Sequence, residues 1–387
     1  MKILADENIP LAREAFSRLG EVETIAGRAI TRARLSDVDV LMVRTVTRVD
    51  EALLADTPVR FVGTATAGLD HVDLEYVRRS GLGFADAAGG NATSVAEYVL
   101  AALAALSERF EMDLAGRTLG VIGYGHVGSM VAQKAPALGL RCVLNDPPLA
   151  RHTPDSRFRP LEEALDCDIV TLHVPLEREG TDATYRLIGE GALSKMKPGA
   201  ILINTARGGV VHEAALKPRV QDGALKACVL DVWENEPRPD PEMIALATIA
   251  TPHIAGYSTD GRVAGTKMVL DAACELFGIE HDWDPAPLLP TPALPCAEID
   301  SSKPCAIRNL VRDIYDIWAE DRWLREASLL DPDARAMAFD ALRRDYPVRR
   351  EFRNTVVTVR GSSPSISDTL AALGVIQDRA SAAEDVR

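Results

Sequence analysis

The feature that most limits what this chain can fold into is a glycine-rich turn placed between a strand and a helix. Residues 120–128 read Gly-Val-Ile-Gly-Tyr-Gly-His-Val-Gly, and the run Thr118–Ile122 predicts a strand that leads into them. A Gly-x-Gly-x-x-Gly turn at that place is typical of the phosphate-binding turn of a doubly wound nucleotide domain. The alternative, a glycine turn that binds nothing, requires a strand, a helix and a downstream acid to follow one another by chance.

Each glycine of this turn has a separate task. Gly123 permits a tight bend, Gly125 lets the backbone approach a pyrophosphate, and Gly128 lets the following helix pack on the strand. The helix N-terminus then presents unpaired N–H groups and a positive dipole to the phosphates. The residues predicted to bind the cofactor here are Gly123, Gly125, His126, Val127 and Gly128.

An acidic residue at the end of the next predicted strand distinguishes between the two nicotinamide cofactors. Asp146 directly follows the predicted strand Arg141–Asn145. A carboxylate at that place accepts hydrogen bonds from the adenosine ribose and repels a 2′-phosphate. The sequence therefore predicts NAD rather than NADP.

Short apolar runs alternate with amphipathic segments through the first 280 residues, which is the pattern of a parallel α/β fold. Helices are predicted over Ser94–Leu106, where Ser94 and Glu97 have the spacing of a capping box, and over Asp260–Gly278. The predicted strands are Lys2–Ala5, Val40–Arg44, Phe61–Gly63, Thr118–Ile122, Arg141–Asn145, Ile169–Leu172, Ala200–Asn204 and Ala227–Asp231.

The two series of strands predict an α/β protein with two Rossmann-like, doubly wound lobes and a cleft between them. The substrate domain is predicted to be discontinuous, over 1–95 and 256–285, with an NAD-binding domain inserted at 96–255. Prolines between 284 and 304 mark a stiff linker, and 286–387 is predicted to be a small α+β domain. Its predicted elements are the helices Ala306–Leu324 and Asp333–Arg344 and the strand Phe352–Arg360.

Charge and composition exclude several classes of partner. The chain carries 43 Lys and Arg against 57 Asp and Glu, a formal net charge of −14, so it lacks the basic surface that nucleic acids or anionic membranes require. No apolar run approaches the roughly 20 residues that cross a bilayer, and the first residues do not read as a signal peptide. The six cysteines include no Cys-x-x-Cys pair, which predicts reduced core thiols, no metal site and a cytoplasmic location.

Three short motifs at or beyond the ends of the later strands carry the candidate chemistry. Oxidation of a secondary alcohol needs a base for the hydroxyl proton, and imidazole is the side chain that most often has this role, which makes His253 the candidate base. Glu236 is placed to hold the far imidazole nitrogen and stabilise the imidazolium, and Arg207 offers a planar fork for a carboxylate. Taken singly, these residues have ordinary alternatives. Arg207 would be a surface ion-pair partner, Glu236 a turn residue and His253 a cap of a helix or loop. The motifs are Asn204-Thr-Ala-Arg207-Gly-Gly, Asp231-Val-Trp-Glu-Asn-Glu236-Pro and Thr251-Pro-His253-Ile-Ala-Gly256-Tyr257.

Together, these motifs resemble those of the D-isomer-specific 2-hydroxyacid dehydrogenases. The resemblance implies an NAD-dependent dehydrogenase whose catalytic residues are Arg207, Glu236 and His253. It also implies that the loop Thr64–His71 binds the substrate carboxylate through backbone amides, and small residues with a glycine do form such N–H nests. Further residues implied to line the cofactor are Asp231, which faces the nicotinamide carboxamide, Val174, where threonine is typical, Thr205, Ala206 and Gly256.

Further segments resemble one branch of that family, which oxidises a small phosphorylated 2-hydroxy acid and has a C-terminal dimerisation domain. The resemblance implies a homodimer formed through 286–387, and substrate contacts from Thr45, Thr66 and Tyr257, with Thr45 in place of an expected serine. Arg44 is the candidate for binding the phosphate, with a surface salt bridge as the alternative. The matching segments are 1–10, 42–47, 61–68 and 252–257.

Other functions stay open at this point. One is a different member of the family, such as a phosphoglycerate dehydrogenase or a hydroxypyruvate reductase. Another is a non-catalytic NAD-sensing regulator, which the presence of all three candidate catalytic residues disfavours. A further hypothesis concerns the arginines near the C-terminus, Arg343, Arg344, Arg349 and Arg350. Either one of them reaches the substrate phosphate of the partner subunit, or they belong to a charged helix end on a solvated face.

Overall fold

The computed structural model describes residues 1–153, 157–361 and 365–378. Its strands are β1 (Lys2–Asp6), β2 (Glu21–Ile25), β3 (Val40–Val43), β4 (Phe61–Thr64), β5 (Gly83–Asp86), β6 (Thr118–Ile122), β7 (Arg141–Asn145), β8 (Ile169–Leu172), β9 (Ala200–Asn204), β10 (Leu225–Leu230), β11 (Ile249–Ala250), β12 (Cys296–Asp300), β13 (Val356–Arg360) and β14 (Ile376–Gln377). Its α-helices are α1 (Ala12–Phe16), α2 (Glu51–Leu54), α3 (Leu74–Arg79), α4 (Ala92–Arg109), α5 (His126–Lys134), α6 (Pro147–His152), α7 (Leu161–Leu165), α8 (Glu190–Lys195), α9 (Glu213–Gln221), α10 (Pro241–Leu246), α11 (Thr259–Phe277), α12 (Ala306–Ile314), α13 (Ile317–Ser328), α14 (Pro332–Arg344) and α15 (Ile366–Leu373).

The first compact unit combines Met1–Ala92 with Tyr257–Pro290. Its five strands are all parallel and lie in the order β2-β1-β3-β4-β5. Helix α11 returns to this sheet and buries Val269, Leu270 and Ala273 in the core that β1, β3 and β4 also line. Because the strands are parallel, the loops after β1, β3 and β4 leave from the same edge of the sheet, where open α/β sheets bind ligands.

The second compact unit combines Thr93–Gly256 with Thr291–Arg387 and contains a parallel six-stranded sheet in the order β11-β10-β9-β8-β6-β7. In this sheet β9, β10 and β11 are direct neighbours, with Asn204 beside Leu230 and Leu230 beside Ala250. The three candidate catalytic motifs follow these three strands. The sheet order therefore brings to one edge the motifs that the sequence separates by tens of residues.

Residues after 291 pack into the second unit as well as forming a small parallel sheet of their own, in the order β12-β13-β14. The carboxylate of Asp321 on α13 accepts a hydrogen bond from the Ala250 amide at 2.8 Å. The guanidinium of Arg325 on the same helix donates to the carbonyl oxygens of Ile244 and Ala247 at 2.9 and 2.7 Å. These bonds join the C-terminal region to the strand that precedes the histidine motif.

The structure confirms the predicted fold class, with two Rossmann-like parallel sheets and a small α+β region. The sequence analysis missed five strands, β2, β5, β11, β12 and β14, and each of them is an edge strand of its sheet. Of these, β2 and β5 are only half-buried, so neither forms a continuous apolar run. The predicted helix Ala306–Leu324 is in fact two helices, α12 and α13. Asp316 accepts a hydrogen bond from the Trp318 amide and so begins the second of them.

The predicted capping box is wrong. Helix α4 begins at Ala92, so Ser94 and Glu97 lie inside its first turns. The Ser94 hydroxyl donates to the carbonyl oxygen of Ala255 at 2.8 Å, and the Glu97 carboxylate accepts a hydrogen bond from the Phe352 amide at 3.1 Å. Ser94 and Glu97 therefore bond residues that are distant in sequence and do not cap the helix.

Two of the six cysteines also differ from prediction. All six are free thiols, but Cys296 and Cys305 are exposed and do not belong to a core. Within the described ranges, none of the helices is long and apolar enough to cross a membrane.

Candidate active site

The glycine-rich turn joins β6 to α5 and has the geometry expected of a phosphate-binding turn. Gly123 has a φ of +88°, a left-handed conformation that strains other residues. A Cβ on Gly128 would lie 1.9 Å from the carbonyl oxygen of Gly123, whereas a Cβ on Gly125 would meet no atom within 4 Å. His126 and Val127 form the start of α5. The open space at Gly125, beside a helix N-terminus, fits a bound pyrophosphate.

Asp146 lies beside this turn because β7, which it follows, pairs with β6. Its carboxylate accepts a hydrogen bond from the Tyr124 amide at 2.8 Å and another from the Leu149 amide at 2.9 Å. The side chain of Val174, two residues past β8, would lie 2.9 Å from a Cβ on Gly123. The acid and the residue after β8 are therefore both held against the turn, as a dinucleotide site requires.

His173 is a residue of this region that the sequence analysis did not single out. Its Nε2 lies 3.0 Å from the Thr171 hydroxyl, and its Nδ1 lies 3.3 Å from the Thr205 hydroxyl. Burial lowers the pKa of His173 to about 3, so the ring is neutral. His173 thus ties β8 to the start of the arginine motif and is not placed to act as a base at neutral pH.

Arg207 follows β9 on a turn that its neighbours fix. The Asn204 side chain accepts a hydrogen bond from the Ala206 amide at 3.0 Å and donates one to the Arg207 carbonyl oxygen at 3.1 Å. The Arg207 guanidinium donates to the carbonyl oxygen of Ala206 at 2.8 Å. A Cβ on Gly208 would lie 1.8 Å from the carbonyl oxygen of Trp233, so this turn packs directly on the turn that follows β10.

His253 and Glu236 form a hydrogen-bonded pair. The His253 Nδ1 lies 2.7 Å from the Glu236 Oε2, and the other carboxylate oxygen of Glu236 accepts a hydrogen bond from the Trp233 amide at 2.9 Å. Burial opposes ionisation of Glu236, but His253, the Trp233 amide and the charge of Arg343 together lower its pKa below the ordinary value. Glu236 is therefore an anion at neutral pH, oriented by the backbone and bonded to one imidazole nitrogen. Within the part of the chain that the structure describes, the Nε2 of His253 bonds no protein atom.

The backbone of His253 is held in an uncommon conformation by Asp231. His253 has a φ of +58°, in the left-handed region that costs a non-glycine residue on the order of 1 kcal/mol. Its amide donates to the Asp231 carbonyl oxygen at 2.7 Å. The Asp231 carboxylate accepts hydrogen bonds from the Ile254 amide at 2.7 Å, the Ala255 amide at 3.0 Å and the Thr251 hydroxyl at 2.7 Å. Burial raises the pKa of Asp231, and these donors oppose that shift. The segment that leads to Gly256 is thus fixed around one buried carboxyl group.

The residues predicted to contact substrate lie in the first unit. The Arg44 Nη2 lies 3.5 Å from the Tyr257 hydroxyl oxygen. The hydroxyl of Thr66 lies 2.9 Å from that of Thr64, which in turn lies 3.0 Å from the Nε2 of His71. Thr45, next to Arg44, is exposed. Arg44, Thr45 and Thr66 follow β3 and β4 at the edge where ligands bind in open sheets.

Comparison with known proteins decides the family. Residues 96–255 match the model of the D-isomer specific 2-hydroxyacid dehydrogenase NAD binding domain, and residues 288–374 match a domain of unknown function. The erythronate-4-phosphate dehydrogenase of Hahella chejuensis is 43% identical over 376 residues, covering 97% of this chain and 98% of the relative. The erythronate-4-phosphate dehydrogenase of Cronobacter sakazakii is 45% identical over 361 residues, covering 92% of this chain and 94% of the relative. This chain belongs to the erythronate-4-phosphate dehydrogenase family.

Solved structures agree with this assignment. The TT0316 protein of Thermus thermophilus superposes with a TM-score of 0.62 at 30% identity, covering 72% of this chain and 96% of that one. The D-lactate dehydrogenase of Aquifex aeolicus, complexed with NAD and lactic acid, superposes with a TM-score of 0.58 at 26% identity, with the same coverage. As a member of the erythronate-4-phosphate dehydrogenase family, the protein is an NAD-dependent 2-hydroxyacid dehydrogenase. The relatives do not favour the alternative family members considered from sequence.

Arg349 has a place in this dehydrogenase that the sequence analysis did not foresee. Its Nη2 donates to the Ser94 hydroxyl at 2.9 Å and to the carbonyl oxygens of Ile254 and Ala255 at 3.1 and 2.8 Å. Its guanidinium carbon lies 4.3 Å from the ring centroid of Tyr315. Arg349 is therefore used inside its own subunit, against the histidine motif. The Nη2 of Arg350 donates to Asn354 at 2.7 Å.

Proposed function

We propose that this protein oxidises 4-phospho-D-erythronate at C2 with NAD, giving 3-hydroxy-2-oxo-4-phosphonooxybutanoate. This is a step in the biosynthesis of pyridoxal 5′-phosphate, vitamin B6. The observation that carries the proposal is the His253–Glu236 hydrogen bond of 2.7 Å, in the same compact unit as a dinucleotide-binding turn and in a chain that matches relatives of that name over nearly its whole length. We also propose that the enzyme works in the cytoplasm.

In the proposed reaction, His253 removes the proton of the C2 hydroxyl through Nε2. Bound NAD supplies the hydride acceptor. Glu236 is an anion at neutral pH and stabilises the imidazolium that forms. Arg207 orients the substrate carboxylate with its planar fork and stabilises the negative charge that develops on the C2 oxygen. These assignments rest on the fixed turns that carry the three side chains.

Cofactor binding is assigned to the residues around the glycine-rich turn and to the turns after the central strands. The pyrophosphate is proposed to bind at the start of α5 and the adenosine ribose at Asp146. Asp231 is proposed to accept a hydrogen bond from the nicotinamide carboxamide, in addition to the protein donors it already has. The full set is Gly123, Gly125, His126, Val127, Gly128, Asp146, Val174, Thr205, Ala206, Asp231 and Gly256.

Substrate binding is assigned to the first unit. Among the described residues, the amides of Ala67, Gly68 and Leu69 donate to no protein acceptor, which supports an N–H nest for the substrate carboxylate. Thr45, Thr66 and Tyr257 are proposed to contact the hydroxyl groups and Arg44 the phosphate. These roles are consistent with a substrate domain of 1–95 and 256–285 and an NAD-binding domain of 96–255.

The substrate can be tested by direct competition between hydroxy acids. We expect purified enzyme with NAD to oxidise 4-phospho-D-erythronate with a kcat/KM at least about 100-fold above that for 3-phospho-D-glycerate, because binding sites built for one polar substrate discriminate strongly against another. NADH formation is the measurement, and an incubation with NADP in place of NAD is the control. A preference for 3-phospho-D-glycerate would contradict the proposal.

We further propose that residues 286–387 form the interface of a homodimer. Of the eleven large apolar side chains that are exposed in the described chain, six lie between 288 and 376. Leu329, with 86% of its surface exposed, follows α13, and Met337, with 73% exposed, lies on α14. A stretch of the chain in which exposed large apolar side chains are frequent favours an interface there, and a two-fold axis pairs the same surface with itself.

The interface can be tested with charged substitutions. We expect the double variant Leu329→Glu and Met337→Glu to sediment as a monomer where the unmodified enzyme sediments as a dimer, since two carboxylates would have to be buried in each half of the interface. Leu276→Glu is the matched control, because Leu276 is 53% exposed but lies in the first unit. A dimer that persists in the double variant, or one that the control abolishes, would rule out this interface.

A further inference from the structure

Two arginines of the first unit lie beside the same tyrosine. Arg44 follows β3, and its Nη2 lies 3.5 Å from the hydroxyl oxygen of Tyr257. Arg262 lies in the first turn of α11, and its guanidinium carbon lies 5.5 Å from the centroid of the Tyr257 ring. The Arg262 Nη2 also lies 3.4 Å from the carbonyl oxygen of Asn8, after β1. Two cations and a phenol from two segments of the chain thus converge, and a third segment contributes the carbonyl oxygen of Asn8.

No carboxylate of the described residues neutralises this cluster. Neither Arg44 nor Arg262 takes part in an ion pair there, although the chain has 57 acidic residues against 43 basic ones. Other arginines of the same unit do have such partners: Arg32 bonds Asp56, and Arg48 bonds Asp50 at 2.9 Å. In an acidic protein, two adjacent unpaired guanidinium groups indicate a place reserved for an anion.

The charge of one arginine acts on the other. Burial and the neighbouring positive charge of Arg44 lower the pKa of Arg262, and both side chains are only half-buried, so a ligand can reach them. Holding two like charges together without a counter-ion costs free energy in the ligand-free protein. A dianion placed between them would remove that cost, whereas a neutral group would not.

Stacking of an arginine on an aromatic ring does not by itself explain the cluster of Arg44, Tyr257 and Arg262. Arg262 stacks on Tyr257, and such stacking is common for arginine. The same helix offers a comparison at its other end, where the guanidinium carbon of Arg60 lies 4.8 Å from the centroid of the Phe277 ring. There the stack involves one cation and an aromatic ring without a hydroxyl. At Tyr257 a second arginine and a hydroxyl are added, and both are groups that bind phosphate oxygens.

We infer that Arg262, together with Arg44 and Tyr257, binds the phosphate group of the substrate. A phosphate monoester carries close to two negative charges at neutral pH, which match the two guanidinium groups. Each guanidinium donates to phosphate oxygens, and the Tyr257 hydroxyl donates to a further oxygen. The inference rests on the proposed function for the identity of the substrate, but the anion class follows from the cluster itself.

A paired-substrate experiment tests this role. We expect Arg262→Met to lower the ratio of kcat/KM for 4-phospho-D-erythronate over kcat/KM for D-erythronate by about 100-fold, because charge-assisted bonds to the phosphate are lost. Arg262→Lys keeps the charge but not the planar pair of N–H donors, and we expect it to lower the same ratio by about tenfold. Arg60→Met is the matched control and should leave the ratio within about twofold, since an exposed stacked arginine contributes little.

Inorganic phosphite provides a second measurement that does not depend on the phosphorylated substrate. We expect added phosphite to accelerate oxidation of D-erythronate by the unmodified enzyme and by Arg60→Met, and to have no effect on Arg262→Met. Inorganic phosphate should raise the melting temperature of the unmodified enzyme but not that of Arg262→Met, since a ligand stabilises only the fold that binds it. Without phosphate, Arg262→Met should melt no lower than the unmodified enzyme, because repulsion from Arg44 is gone.

Equal losses of kcat/KM for both substrates, with a lowered melting temperature, would show that Arg262 serves packing and would overturn the inference. Phosphite activation that survives in Arg262→Met would overturn it as well. A preference of the unmodified enzyme for 3-phospho-D-glycerate would instead contradict the proposed function. In that case, the ratio of kcat/KM for 3-phospho-D-glycerate over kcat/KM for D-glycerate would report on the phosphate site in the same variants.

Discussion

Replacing His253 with asparagine is expected to lower kcat by about 1,000-fold while NAD binds with unchanged affinity, because the group that accepts the C2 hydroxyl proton is removed. Asparagine is the informative replacement, since His253 has a φ of +58° and asparagine tolerates that conformation better than alanine. The measurements are initial rates with 4-phospho-D-erythronate and a titration of NAD by calorimetry. Retention of more than about a tenth of the activity would contradict the assignment of the base.

Substitution of Glu236, which bonds His253, is a control that should shift the pH profile of kcat/KM. Glu236 has a lowered pKa and is therefore ionised across the neutral range, so Glu236→Gln removes a full negative charge next to the imidazole. Without that charge the imidazolium is less stable, and the acidic limb of the kcat/KM profile should move to lower pH. An acidic limb that stays in place would show that Glu236 only positions the ring.

Replacing Arg207 with lysine is expected to lower kcat/KM by about 100- to 1,000-fold, the second-largest effect that we predict. Lysine keeps the positive charge but cannot hold a carboxylate with two parallel N–H bonds, and bonds between charged groups contribute about 1.5 to 3 kcal/mol each. The loss should appear in both KM and kcat, because the same fork binds the ground state and stabilises the developing negative charge. The turn around Arg207 does not depend on the guanidinium alone, since Asn204 bonds the backbone on both sides.

Arg238→Lys is the matched control for this substitution. Arg238 lies in the same unit, and its Nη2 bonds Asp333 at 2.8 Å, with 64% of the Arg238 side chain and 85% of the Asp333 side chain exposed. An exposed ion pair contributes little, so kcat/KM should stay within about twofold of that of the unmodified enzyme. Comparable losses in Arg207→Lys and Arg238→Lys would show that the effect of the former is not specific to the site.

The dinucleotide site is the part of the molecule that sequence alone predicts best. Its requirements are local: a bend at Gly123, close approach at Gly125 and Gly128, and a strand before and a helix after them. The structure has all of these where the sequence places them. The motifs that carry Arg207, Glu236 and His253 were also found from sequence. The first two stand at the ends of predicted buried strands, whereas β11, which precedes the histidine motif, was not predicted.

Contacts between distant segments were the part that the sequence misassigned or missed. Ser94 and Glu97 match a local capping pattern, yet their partners are Ala255 and Phe352, more than 150 residues away. Arg262 lies in an unremarkable helical stretch close to Tyr257 in sequence, and only the return of α11 to the first sheet brings this pair to Arg44 and Asn8. No spacing along the chain could have indicated either arrangement.

By itself, the sequence determined most of the buried strands, the cofactor-binding turn and the residue types available for catalysis, because these depend on neighbours a few positions away. Only the tertiary structure decided which distant side chains become partners: that Arg349 supports the histidine motif and that Arg262 joins Arg44. The physical reason is that a polar side chain takes whichever partner the packing of distant segments brings within hydrogen-bonding distance.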